Sequence, residues 1–175
     1  MHNLIFRVLS LFILPLAVIG LTSTPLPAAS IESQIAALLP QFETTMRRLE
    51  AIQSQLEVSG RNNRDYDEQK NLWISTVLAV DTISAICEYE NDLLSLFLDL
   101  KPHRRPYYYD VRIQSIETSA QQMGIMQRQV QINISLLKLS LNEQRIFDEI
   151  QAETTATIEL LAKCRALIKQ LAAQP

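Results

Sequence analysis

LWISTVLAVDTISAICEYENDLLSLFLDL, Leu72 to Leu100, is the stretch that decides the fold. It holds the single tryptophan, Trp73, and one of the two cysteines, Cys87. Two seams run along it side by side. Leu72, Thr76, Ala79, Ile83, Ile86, Glu90, Leu93, Phe97 and Leu100 recur at alternating steps of four and three. Trp73, Val77, Val80, Ser84, Cys87, Asn91, Leu94 and Leu98 follow one residue later. One seam joins two helices, whereas two adjacent seams make a wide apolar face that more than one neighbour must cover. The stretch therefore reads as the central helix of a bundle with at least three members.

Upstream, Ile31, Ile35, Leu38, Phe42, Thr45, Leu49, Ile52 and Leu56 keep the same rhythm and predict a first helix over 31–58. Pro40 either kinks its first turns, having no N–H to donate, or marks the point where the helix proper begins. Ser59 and Gly60 are expected to end it, with a polar connection from Arg61 to Asp65. Downstream, Lys101 and Pro102 close the central helix, and a third helix opens at Tyr107, Tyr108 and Tyr109. Its expected seam is Ile113, Ile116, Ala120, Met123, Gln127, Val130, Ile134, Leu137 and Leu141. Gly124 lies inside it, at about 1 kcal/mol of helix propensity.

A last seam, Phe147, Ile150, Thr154, Thr157, Leu161, Cys164, Ile168 and Leu171, does not continue the third. The step from Leu141 to Phe147 is six residues, which breaks the register. Ser140 with Glu143 forms a capping-box pattern, and Asn142 is the alternative cap, with Leu141 and Ile146 as a hydrophobic staple. Either places a turn at about 139–143. The predicted fold is an all-α, up-down-up-down antiparallel four-helix bundle, with helices of roughly 30 residues and 45 Å. The alternative is a three-helix bundle with one long C-terminal helix from Tyr107 to Ala172, because neither glycine nor proline marks the turn. The alternating run at 131–135 sits inside a helical register and predicts no strand.

Residues 1–30 differ from the rest. Arg7, the apolar run Val8 to Leu21, and the small residues Ala28, Ala29 and Ser30 read as a secretory signal peptide with cleavage near Ala28–Ser30. The bundle domain is then 31–175, exported to the periplasm or the extracellular space. A retained anchor is the competing reading, but a span needs roughly 20 apolar residues, and this run is shorter and contains Pro15. Membrane contact is expected only if the segment stays. No cysteine follows the run, so lipid anchoring is not expected. The remaining chain has 15 basic and 19 acidic residues, without the basic footprint that nucleic acid requires.

Cys87 and Cys164 both lie on seams, in the second halves of helices that run parallel. In an oxidising space they are expected to form a disulfide, contributing about 4 kcal/mol in the chain-entropy picture. Diagonal helices in a square bundle hold Cα atoms roughly 9 Å apart, so the bridge demands a squashed, rhombic bundle. Two buried free thiols are the alternative.

Glu90 occupies a seam position, where an unpaired charge is costly. It is either a functional buried acid or the partner of an arginine such as Arg47, Arg48 or Arg128, unless the seam opens to solvent. Arg104, Arg105, Tyr107, Tyr108 and Tyr109, with Lys101 and His103, form an aromatic-basic connector. Tyrosine and arginine are frequent at binding hot spots, which makes this the expected interaction surface. The simpler reading is a stiff turn whose tyrosines pack over the bundle end. Gln127 and Asn91 are expected to form a polar layer that fixes register, and Asn133, though in a glycosylation triplet, lies within a helix.

No catalytic residues, cofactor or metal ligands are expected. Beyond the signal segment the one histidine is His103, which excludes the Glu-x-x-His di-iron pattern. The leading expectation is an exported, non-enzymatic bundle that binds another protein or an envelope component. The alternatives are a small-ligand or sensory bundle with a site near Glu90 and Trp73, and a membrane-tethered structural protein.

Overall fold

The computed structural model describes residues 29–101 and 105–174. These form α1 (Ile31–Ala36), α2 (Leu39–Asn62), α3 (Tyr66–Asp99), α4 (Pro106–Leu136) and α5 (Leu141–Ala172). The architecture is the antiparallel four-helix bundle: α2 packs on α3, α3 on α4, α4 on α5, and α5 closes the ring against α2. The short α1 packs on α3 and α5. Its Glu32 pairs with Lys101 at 3.2 Å, which puts it at the end of the bundle where α3 stops and α4 begins. That end is called the upper end below. The signal segment expected at 1–30 falls, except for Ala29 and Ser30, outside the described residues.

Both seams of α3 are used. Trp73, Ala79, Val80, Ile83, Ile86, Cys87, Leu94 and Phe97 are buried among α2, α4 and α5. By length and composition α3 would also cross a membrane, yet these seams face protein.

Local signals set the boundaries. Ser30 caps α1, its hydroxyl accepting from the Ser33 amide at 3.1 Å. The expected first helix is two: the chain turns at Ala37–Leu38, and Pro40 stands in the first turn of α2, where its missing N–H costs nothing. Gly60 does not end this helix, contrary to expectation. α2 runs through it to Asn62, and the absent side chain serves packing instead. A Cβ there would stand 3.4 Å from the ring carbons of both Trp73 and Tyr66.

Between α4 and α5 the chain breaks as the capping box predicts. The Glu143 amide donates to the Ser140 hydroxyl at 3.3 Å, and the Ser140 amide donates to the Glu143 carboxylate at 2.7 Å. Asn142 is not the cap, and Leu141 is 89% exposed. One long C-terminal helix is thereby excluded.

The α4 register is the main departure. Its buried residues are Arg112, Ile116, Ser119, Met123, Val130 and Asn133, while Ile113, Ala120, Gln127 and Ile134 are only half-buried. The helix is rotated so that polar side chains enter the core. Asn133 donates to the Thr76 hydroxyl at 3.0 Å, the Ser75 hydroxyl at 3.2 Å and the Leu72 carbonyl at 3.3 Å. This is the polar layer that locks α4 to α3. Gln127 instead donates to Thr155 at an exposed position, at 2.8 Å.

The disulfide is not formed: Cys87 and Cys164 are free, buried thiols. The bundle does let α3 and α5 approach across a diagonal, as a bridge would need. The heights do not match. Cys87 lies against the Thr157 hydroxyl on α5, two turns or about 10.5 Å of helix before Cys164.

Gly124 meets nothing within 4 Å of where a Cβ would stand. Gly124→Ala is therefore expected to stabilise the fold by about 1 kcal/mol, read as a higher urea midpoint at unchanged m. A lower midpoint would show a contact at this position that the fold lacks.

Candidate binding groove on α3 and α4

Glu90 is fully buried in α3 and Arg112 is 5% exposed in α4. The two are paired directly, Arg112 Nη2 donating to Glu90 Oε2 and also to the Glu90 carbonyl at 3.3 Å. Ser119 donates to the other carboxylate oxygen at 2.6 Å, and Ser115 reaches it at 3.5 Å. Arg112 Nη1 donates to the Ser115 hydroxyl at 3.3 Å, while its Nε is buried with no acceptor. Of the two readings weighed for Glu90, the ion pair is the one present, with an arginine other than those expected. Arg47 pairs with Glu43 and Arg48 with Glu153, and Arg128 is exposed.

Arg112 went unrecognised because the register one residue later, through Ile113, offers more apolar side chains. A signal was present. Arg112, Ile116, Ser119 and Met123 keep the four-three rhythm, and Ser115 and Ser119 are hydroxyls suited to a carboxylate.

Above this pair the seam between α3 and α4 opens. Leu93, Leu96, Phe97, Leu100, Tyr108 and Val111 line a mostly apolar hollow of about 300 Å³, with Arg112 and Ser115 at its floor. Tyr89 and Ser115 also border a second, more polar hollow that continues down the seam past Thr82, Thr118 and Gln122. Together they form one groove, apolar above and hydroxyl-lined below. Leu96, Val111 and Tyr89 stand half or more exposed along its lips.

The connector residues divide. Tyr109 packs edge-on against Phe97, ring centres 5.6 Å apart, so it covers the bundle end. Tyr108 lines the groove and Tyr107 leans on it at 4.2 Å. Arg105 is exposed just before α4. Arg104 and His103 lie outside the described residues. The suggested site joining Glu90 and Trp73 is not assembled. Trp73 sits against Phe147 at 5.9 Å, 17 residues below Glu90 on the same helix, about 25 Å along its axis.

The two thiols flank the ion pair. Burial pushes Cys87 from an ordinary 9.0 up to about 12, opposed by the Thr157 hydroxyl and reinforced by the Glu90 charge. Burial also pushes Cys164 to about 12, opposed by Arg112 and reinforced by Glu90. Neither is a nucleophile at neutral pH. Compared with known proteins, the chain matches no family model, no curated protein and no solved structure.

Removing one member of the pair leaves a buried charge uncompensated. Glu90→Ala is expected to lose about 3–5 kcal/mol, and Glu90→Leu combined with Arg112→Met to recover most of it. Urea denaturation of the two variants checks this; equal losses would mean that the charges are not coupled. The thiols make a second prediction. Their folded pKa lies above the unfolded one, so the stability they contribute is complete below about pH 9 and declines as pH rises towards 12. Unfolding free energy should fall more steeply over pH 9–12 in the native chain than in Cys87→Ala/Cys164→Ala, and parallel slopes would contradict it.

Proposed function

We propose that this protein is an exported, non-enzymatic helical bundle that binds another protein or an envelope component through the upper α3–α4 groove. One observation carries the reading. Leu96 and Val111 are more than half exposed, and with Tyr108 they line a single apolar hollow on the side of the bundle end that carries Lys101 and Arg105. Scattered apolar side chains on a surface need no explanation. Aliphatic and tyrosine residues gathered along one concave seam, next to arginine, match the make-up of recognition sites.

The buried pair supports this role without taking part in chemistry. It holds α3 and α4 at one height, so the groove is already shaped before a partner arrives, and preorganisation lowers the entropy lost on binding. Export rests on the N-terminal segment: Arg7, the run Val8–Leu21 and the small residues at 28–30 make a signal peptide cut near Ala28–Ser30. The protein then works in the periplasm or outside the cell. If the segment is retained, the same bundle is a tethered one.

A photoreactive phenylalanine analogue placed at Tyr108, in cells of the native host, should yield a discrete adduct. The same analogue at Leu141, exposed at the opposite end of the bundle, should not. Arg105→Ser together with Leu96→Ser should remove the adduct while helicity by circular dichroism is unchanged. Adducts from both positions alike, or from neither, would end the reading.

A further inference from the structure

We infer that the upper end of the bundle is a membrane-docking surface, entering the headgroup region of the bilayer with Leu96, Leu100, Tyr107, Tyr108 and Val111. This rests on the groove reading above in its tethered form, with the N-terminal segment kept rather than cut, and names its partner as lipid. The argument begins with where the chain enters. α1 starts at Ile31 and is tied to the upper end by the pair Glu32–Lys101. The apolar run ends at Leu21, nine residues before Ser30, which is at most about 30 Å of extended chain. α3 alone has 34 residues, or about 51 Å of helix. A bilayer holding Val8–Leu21 is therefore within reach of the upper end, while the lower end, with Leu141, lies beyond it.

The side chains at that end suit an interface. Tyrosine rings, aliphatic side chains and basic groups standing together are the residues that settle between headgroups and acyl chains. Here Tyr107, Leu96 and Val111 are exposed, Lys101 and Arg105 flank the passage from α3 to α4, and Lys169 stands on the last turn of α5 at the same end of the bundle. Glu32, Asp99 and Asp110 balance those charges, so the apolar and aromatic residues lead the insertion, and anionic lipid strengthens it only modestly.

The depth follows from the helix rise. Interfacial segments sink about 5–10 Å. Leu96 lies about 6 Å below Leu100 along α3, and Tyr89 about 16 Å below it. Docking end-on thus covers Leu96 and Val111 and leaves Tyr89 and the hydroxyl-lined half of the groove in water.

The test uses the full chain in vesicles of phosphatidylcholine and phosphatidylglycerol that carry a nitroxide on the acyl chain. A fluorophore is attached at Leu96→Cys, Tyr89→Cys or Leu141→Cys, the native thiols being buried and protonated. Strong quenching at 96 with little at 89 and 141 is the expected result. Val111→Asp should abolish most of the quenching at 96 although the N-terminal tether is unchanged, which separates insertion from mere proximity. No quenching at 96, or equal quenching at 96 and 89, overturns the inference. A discrete protein adduct from Tyr108 with no quenching at 96 leaves the binding groove standing and removes lipid as its partner.

Discussion

A carboxylate sealed from water has to be met by a positive charge at hydrogen-bonding distance, and in this bundle Glu90 is met by Arg112. The lost hydration of two ions is large, and it is offset only when the geometry is good and the spare lone pairs are filled. Ser115 and Ser119 fill them. Sliding α4 by one turn along α3 would part the ions by about 5.4 Å and strand both. The pair thereby converts a greasy, slippable seam into one with a single height.

What lies above follows from that height. With Arg112 level with Glu90, the next turns of α3 and α4 present Leu93, Leu96 and Leu100 opposite Val111 and Tyr108. These side chains do not interdigitate to fill the seam, so a hollow remains. The Asn133 cluster pins the same two helices lower down. The groove is therefore set by how two helices pack rather than by a loop. It is also why α4 has the least regular apolar pattern of the four long helices: its inward face is half polar by design of the contact.

The free thiols show how far helical rhythm can mislead. Cys87 and Cys164 are both inward, both buried and on helices that run the same way. Rhythm reports the direction in which a residue faces, not its height above a common plane. The Thr157 contact places Cys87 two turns away from where a bridge to Cys164 would need it.

All four long helices could be read from residues alone, though not the way α4 faces, because burying an apolar face against neighbours imposes a 3.6-residue period on any chain. The eight predicted inward residues of α5 are all buried, and Ser140 with Glu143 marked the break because a cap is a local bond between residues three apart. Pro40 likewise marked the start of α2 through its own chemistry. The rotation of α4, the choice of Arg112, the packing role of Gly60, the mismatch of the cysteines and the existence of the groove could not be read that way. Each depends on how one helix turns and slides against another, and that is settled by pairing a buried charge and filling a shared interior, between residues that no sequence period connects.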